Sequence, residues 1–326
     1  MEIRHIAIVG TGIMGNSWAI VYARAGFRVS LYDREAGPRA LAPQKIRTAL
    51  EHSRPLLRDG DTVDGVLERI TVRGELVDAV SGAQFVHECI EEKIDSKKAI
   101  FAELSKLAEP NAILASSTSS FPVSTFASEL DNRERCIVVH PATPPHLLPV
   151  TEVCPAPFTD EDVTSAVFAL LRECGQVPVL IKREIPSFVL NRLQGALIVE
   201  MFRCLNDDII SPADMDTIIS EGFGLRWAFL GPFEAADLSS SGGVREYFER
   251  FGFIFNAIAS DFGIAEPVVV PASIDKIERY VRERLPISAI ASRAQWRDES
   301  IISLRTLKIS QRSPTLDSDG PSGGIE

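Results

Sequence analysis

The 326-residue sequence predicts an α/β fold, a mostly parallel sheet followed by an all-helical C-terminal domain. Three observations predict it. Short apolar runs alternate with helical stretches from residue 3 to about 180, the pattern of βαβ units. A glycine-rich turn joins the first apolar run to the first helix. Beyond Pro186 the alternation gives way to long stretches of helical periodicity.

Ile6-Ala7-Ile8-Val9 is the first strand. Gly10-Thr11-Gly12-Ile13-Met14-Gly15 follows it directly and opens a helix placed at 17–25. In that context G-x-G-x-x-G is a dinucleotide-binding fingerprint, and the sheet is of Rossmann type. Gly10 permits the tight turn, and Gly15 lets the helix pack on the strand. Gly12, with Ile13 and Met14, brings backbone and helix N-terminus against a pyrophosphate. The second strand, Val29-Ser30-Leu31-Tyr32, ends on Asp33, 18 residues beyond Gly15. A carboxylate there accepts hydrogen bonds from the adenosine ribose and repels a 2′-phosphate, which favours NAD over NADP. Arg34 beside it argues the other way. FAD uses the same fingerprint, but the helical second domain speaks against it.

The strands that follow are Ile70-Thr71-Val72, Phe85-Val86-His87-Glu88, Ile113-Leu114-Ala115, Ile137-Val138-Val139 and Val177-Pro178-Val179-Leu180. Helices fall at 95–107 and 160–174, and the long crossover at 38–67 holds a helical excursion. In the second domain, Phe188-Val189-Leu190, Leu193, Leu197 and Ile198 recur at helical spacing. Ser211 reads as a cap and Pro212 as the first turn of a helix running through 214–220. The expected domains are therefore a cofactor-binding domain at 1–185, a helical substrate and dimerisation domain at 186–312, and a disordered Ser/Gly/Pro/Asp-rich tail at 313–326.

A net charge of -11 disfavours nonspecific attraction to nucleic acid or to anionic membrane, so an anionic substrate needs a dedicated local cation. The five cysteines, at 89, 136, 154, 174 and 204, show no CxxC pair and no metal-ligand spacing. Buried thiols in a reducing compartment are expected, with no metal site. No signal-peptide pattern precedes the first strand, and no segment reaches the roughly 20 apolar residues of a membrane span. A cytoplasmic protein is expected.

A nicotinamide enzyme needs a base for the alcohol proton, and histidine suits neutral pH. Of the five histidines, His5 opens the first strand, His52 lies in the helical excursion, and His87 and His146 have no evident partner. His140 stands at the C-terminal end of a strand, where open α/β sheets put their ligands; a structural role is open to it as well. Glu152, twelve residues on and past a turn containing Pro141, Pro144, Pro145 and Pro149, can return beside it and fix its tautomer.

From the first strand to about residue 310 the sequence resembles the 3-hydroxyacyl-CoA dehydrogenase family. The resemblance rests on Ser116-Ser117-Thr118-Ser119-Ser120, His140-Pro141-Ala142-Thr143-Pro144, Glu152 and Pro186-Ser187-Phe188-Val189-Leu190-Asn191-Arg192. It implies that His140 is the general base and Glu152 its orienter, that Ser119 and Asn191 hold the reacting oxygen, and that Glu92 and Lys97 contact the NAD cofactor. Thr143 departs from the pattern, because the family has asparagine there.

The segment Gly222-Phe223-Gly224-Leu225-Arg226-Trp227, before Gly231-Pro232-Phe233-Glu234, is similar to the family's free-acid branch, L-gulonate 3-dehydrogenase (lambda-crystallin) and L-carnitine dehydrogenase. Arg226 can grip a carboxylate with two parallel hydrogen bonds, and a thioester offers none; a surface or dimer-contact role is the alternative. Gln295-Trp296-Arg297-Asp298-Glu299 resembles the gulonate enzyme. A carnitine enzyme needs a cage for a quaternary ammonium, and Trp227, Tyr247 and Phe251 are candidates for one, though aromatics at such spacing also make core. The expectation is NAD-dependent oxidation of L-gulonate to 3-dehydro-L-gulonate by a homodimer. L-carnitine or another small 3-hydroxy acid stands second and a 3-hydroxyacyl-CoA third, with a non-enzymatic NAD-binding protein as the rival class.

Overall fold

The computed structural model describes residues 2–311, so the tail expected at 313–326 lies outside the described residues. Eight strands form one sheet in the order β3-β2-β1-β4-β5-β6-β7-β8. They are β1 (His5–Val9), β2 (Arg28–Tyr32), β3 (Ile70–Val72), β4 (Phe85–Glu88), β5 (Ile113–Ser116), β6 (Cys136–Pro141), β7 (Val150–Pro155) and β8 (Val177–Leu180). All neighbours pair in parallel except β6 and β7.

Parallel neighbours need a helix to carry the chain back, and those helices cover both faces of the sheet. They are α1 (Ile13–Arg24), α2 (Ala36–His52), α3 (Val63–Leu67), α4 (Leu76–Val80), α5 (Ile94–Leu107), α6 (Ser124–Ala127) and α7 (Glu161–Glu173). Alternate residues of each strand face opposite cores. Ile6, Ile8, Phe85, Ile137 and Val139 pack on the side of α1, α2 and α7, whereas Ala7, Val9, Val86 and Val138 pack on the side of α4, α5 and α6. The helix placed at 17–25 starts earlier, at Ile13, because the glycine turn leads into it without a spacer.

β7 corrects the expectation, which had no strand between 139 and 177. The connection at 142–149 is too short to carry a crossover helix, so β7 returns antiparallel beside β6. Prolines at 141, 144, 145, 149 and 155 hide it from a reading based on apolar runs.

The contacts divide the chain after Val199, within α8 (Phe188–Asn206). The second unit is helical: α9 (Pro212–Thr217), α10 (Gly224–Trp227), α11 (Pro232–Asp237), α12 (Gly243–Asp261), α13 (Pro271–Arg282) and α14 (Ile290–Ser310). Ser211 caps α9 by accepting the Asp214 N–H, as its sequence predicts. The helix does not stop near 220 but passes through a π-helical turn, Ile218–Phe223, into α10. Asp237, fully buried, accepts the Val244 N–H and pairs with Arg282, tying α11, α12 and α13 together. Two small apolar clusters complete this unit, one around Leu230, Leu238 and Ile290 and one around Ala236, Val244 and Val281.

Candidate active site

The glycine turn lies at the C-terminal ends of β1 and β4. Gly10 adopts φ 110°, and a Cβ there would sit 2.5 Å from the Cys89 carbonyl oxygen, so only glycine fits. A Cβ on Gly15 would collide with the Gly10 carbonyl, which fixes the closeness of α1 to β1. Gly12 is different: among the described residues nothing lies within 4 Å of where its Cβ would be. That free space, beside the uncapped N-terminus of α1, is what a pyrophosphate requires. Ile13 is exposed and Met14 half-buried beside it.

A groove of ≈ 770 Å³ runs from Gly10 and Gly12 past Tyr32, Asp33 and Arg34 to Glu91 and Glu103. Asp33 Oδ2 accepts the Thr11 N–H at 2.7 Å and the Thr11 hydroxyl at 2.8 Å, and Oδ1 accepts the Glu35 N–H at 2.9 Å. The carboxylate is therefore held at the edge of the groove. The charge of Arg34 also acts on Glu91, whose carboxyl is held low by hydrogen bonds from Lys93 and Ser96, with the charges of Lys93 and Arg34 adding to them. A carboxylate at this edge of the groove suits a ribose with a free 2′-hydroxyl, from which it can accept hydrogen bonds, and repels a 2′-phosphate.

On the buried side of β4, Glu88 stands opposite Ser116 in register. Its carboxylate accepts the Ser116 hydroxyl at 2.5 Å, the Ile90 N–H at 2.7 Å and the Lys97 ammonium at 3.1 and 3.2 Å. Lys97 also reaches Glu92 Oε2 at 3.2 Å. Burial alone would lower the Lys97 ammonium, yet Glu88 and then Glu92 outweigh it and raise it. Lys97 is only 1% exposed, and its ammonium pairs with two carboxylates. Glu92 remains 32% exposed, and its Oε1 accepts the Thr118 hydroxyl at 2.7 Å and the Ser119 and Ser120 N–H groups at 2.9 and 2.8 Å. Burial pushes the Glu92 carboxyl up, but the Thr118 hydroxyl, Lys97 and the Ser120 N–H together bring it below the usual range.

His140 and Glu152 are cross-strand partners in the antiparallel β6–β7 pair, which is how a spacing of twelve residues brings them together. His140 Nδ1 lies 2.8 Å from Glu152 Oε2. The other oxygen, Oε1, accepts the Val189 and Leu190 N–H groups at the start of α8, both at 2.9 Å. Burial would raise the Glu152 carboxyl, but the hydrogen bonds from His140, Leu190 and Val189 and the charge of His140 hold it low. The Phe188 ring, fully buried, tilts against His140 at 5.3 Å. Asn191, one turn into α8, donates from Nδ2 to the Ser119 carbonyl at 3.0 Å. The structure thus gathers His140, Glu152, Ser119 and Asn191 through one hydrogen-bonded neighbourhood. Thr143 is exposed, and its hydroxyl donates to Met14 Sδ at 3.5 Å.

Two histidines read as partnerless have partners. His87 is enclosed, with Tyr22 OH 2.9 Å from Nδ1 and Ser117 Oγ 2.9 Å from Nε2. His146 Nδ1 meets Ser17 Oγ at 3.0 Å. Their partners are 30 to 129 residues away in sequence, so no local pattern announces them. All five cysteines are free thiols; four are buried and Cys204 is half-buried.

Within the second unit, Arg226 is exposed on α10, with Nη2 3.4 Å from the Ser239 hydroxyl and no carboxylate within ion-pair distance among the described residues. Trp227 stacks on Phe223 at 4.6 Å, while Tyr247 packs with Phe248, Phe251 and Phe255. Among the described residues Trp227 makes no ring contact with Tyr247 or Phe251. Nor does any helix there have the length and apolarity to cross a membrane.

Comparison with known proteins places these residues in context. The model of the 3-hydroxyacyl-CoA dehydrogenase NAD binding domain matches residues 5–185, and that of the 3-hydroxyacyl-CoA dehydrogenase C-terminal domain matches residues 188–262. The lambda-crystallin homolog of Mus musculus is 37% identical over 308 residues, covering 93% of this chain and 96% of that protein. L-carnitine dehydrogenase of Streptomyces griseus is 32% identical over 253 residues, covering 77% and 74%. Among solved structures, an NAD+-dependent 5-formyl-3-hydroxy-2-methylpyridine 4-carboxylic acid 5-dehydrogenase superposes with a TM-score of 0.69 at 26% identity, covering 96% of this chain and all of that one.

Proposed function

The chain belongs to the 3-hydroxyacyl-CoA dehydrogenase family, an NAD-dependent oxidoreductase acting on a CH–OH group, and on that premise we propose that it oxidises a free 3-hydroxy acid, L-gulonate, at C3 to 3-dehydro-L-gulonate. The observation that carries the chemistry is the His140–Glu152 pair at the C-terminal end of β6. NAD supplies the hydride acceptor. Glu152 accepts the Nδ1 proton of His140, which leaves Nε2 as a free lone pair and fixes it as the atom that takes the alcohol proton. Glu152 then stabilises the imidazolium that forms. The Ser119 hydroxyl and the Asn191 amide hold the reacting oxygen, while the glycine turn, Asp33 and Glu92 hold the cofactor.

The preference for a free acid rests on Arg226, an exposed cation without a carboxylate partner among the described residues, in a chain of net charge -11. L-gulonate is placed first because the similarity to the lambda-crystallin homologs runs through nearly the whole of both chains. L-carnitine is the second reading, favoured by the 32% identity to a carnitine dehydrogenase. We assign residues 1–185 to NAD binding and 186–312 to substrate binding and dimerisation, in a cytoplasmic homodimer.

A substrate panel tests this reading. With NAD, L-gulonate should turn over faster than L-carnitine or 3-hydroxybutyrate, and acetoacetyl-CoA should not be reduced by NADH. Turnover of the acyl-CoA alone would remove the role of Arg226. His140→Ala should lower kcat by about 10²–10⁴-fold, and Arg226→Met should act mainly on the KM for the acid.

A further inference from the structure

We propose that Glu88 is a positioning residue for the reaction: together with Lys97 it fixes Glu92, and through Glu92 the backbone that carries Ser119. Glu88 touches neither the groove nor solvent, being fully buried. An ionised carboxylate in such a place is costly unless every oxygen is engaged. Here each is: Oε1 by Ile90 and Lys97, Oε2 by Ser116 and Lys97.

The geometry of the cluster gives this arrangement a consequence. Lys97 has three donors and essentially no exposed surface, so its charge must be neutralised from within. Its contacts are shared between Glu88, at 3.1 and 3.2 Å, and Glu92, at 3.2 Å. Glu92 is thereby left with its other oxygen free to hold the Thr118 hydroxyl and the Ser119 and Ser120 N–H groups. Ser116 closes the ring, donating to Glu88 and accepting the Thr118 N–H at 3.1 Å. Glu88 therefore holds both ends of the run from Ser116 to Ser120, one directly and one through Lys97 and Glu92. Without its charge, the buried ammonium has a single carboxylate, and that one is drawn away from the serine run. Replacing buried ion pairs by apolar residues is often neutral for stability, so a merely structural purpose does not account for two carboxylates on one lysine at this point.

The inference rests on the reading of Ser119 as a contact of the reacting oxygen, and the experiment separates the two. Glu88→Gln keeps shape and removes charge; it should lower kcat about tenfold while leaving the affinity for ADP, a probe of the glycine turn and Asp33, within about twofold. Adding Lys97→Met should restore kcat to within about threefold of wild type, because Glu92 then has only the serine run to hold. A merely structural role would instead lower the melting temperature of Glu88→Gln and leave kcat per folded molecule unchanged. Should Glu88→Gln not fold, Ser116→Ala, which removes one hydroxyl from the ring, carries the same test with a smaller loss of kcat at unchanged ADP affinity. If Ser119→Ala lowers kcat and Glu88→Gln does not, the inference is overturned and the reading of Ser119 stands. If Ser119→Ala leaves kcat unchanged, both fall. A Glu88→Gln defect shared equally by ADP affinity, or not recovered by Lys97→Met, also overturns it.

Discussion

Two histidines of this chain show how far a residue's surroundings decide its chemistry. His140 ends β6 opposite a carboxylate, an arrangement that the strand end and the spacing to Glu152 made visible in the sequence. His87 lies two strands away, on β4, in the core between Tyr22 and Ser117 and against the Trp18 ring at 4.8 Å. Nothing local announces it, because its neighbours come from α1 and from the loop after β5. Burial pushes the His87 imidazole down from 6.5 to about 3. The folded state therefore favours the neutral ring, while the unfolded chain begins to bind a proton near pH 6.5. Stability is fully present above pH 6.5 and is lost as pH falls from there toward about 3. His87→Gln should reduce the loss of stability between pH 7 and pH 5, by at most about 1.4 kcal/mol per pH unit, as read from urea midpoints at the two pH values. His5 and His146, also lowered chiefly by burial, leave a residual slope in the variant. An unchanged slope would show that His87 does not titrate in this window.

At the scale of elements, the parallel strands were legible because each is a short apolar run between helices, and the cofactor turn because glycines there are required by contact. β7 was not, because its prolines break the run while its pairing with β6 is a tertiary fact. The start of α8 was legible only as a motif. In the structure Ser187, just before the helix, and Phe188, its first residue, both take positive φ, 64° and 47°. The Ser187 N–H donates to the Ser120 carbonyl at 3.0 Å, and Glu152 holds the next two free N–H groups, so the turn is fixed by its neighbours and not by its own preference. This is how a helix that continues into the second unit delivers Asn191 to Ser119. A serine in the left-handed region pays a steric penalty that glycine does not. Ser187→Gly should therefore stabilise the protein by about 0.5–1 kcal/mol after the entropy of the unfolded glycine is subtracted, seen as a higher melting temperature with kcat within twofold. A lower melting temperature would mean that the serine side chain supports the turn.

For the whole molecule, the contrast between the two units argues for association. The sheet has a continuous core on each face, whereas the second unit has only small clusters and leaves Phe253 70%, Ile302 64% and Phe202 60% exposed. These side chains are candidates for the interface of the homodimer proposed above. Both copies carry a net charge of -11, so their long-range interaction is repulsive and the attraction must come from the apolar surface. The sign of the salt dependence follows: added salt screens the repulsion and should tighten the dimer, the reverse of an association held by ion pairs. Sedimentation equilibrium should give twice the chain mass, with a dissociation constant that falls between about 0.05 and 0.5 M NaCl. Phe253→Glu, which places a charge on the exposed face of α12, should weaken the dimer by about tenfold or more and leave the fold of the sheet unit intact by circular dichroism. A wild-type protein that sediments as a monomer at every salt concentration would remove the dimer, and a dimer that loosens as salt rises would replace the apolar face with an electrostatic one.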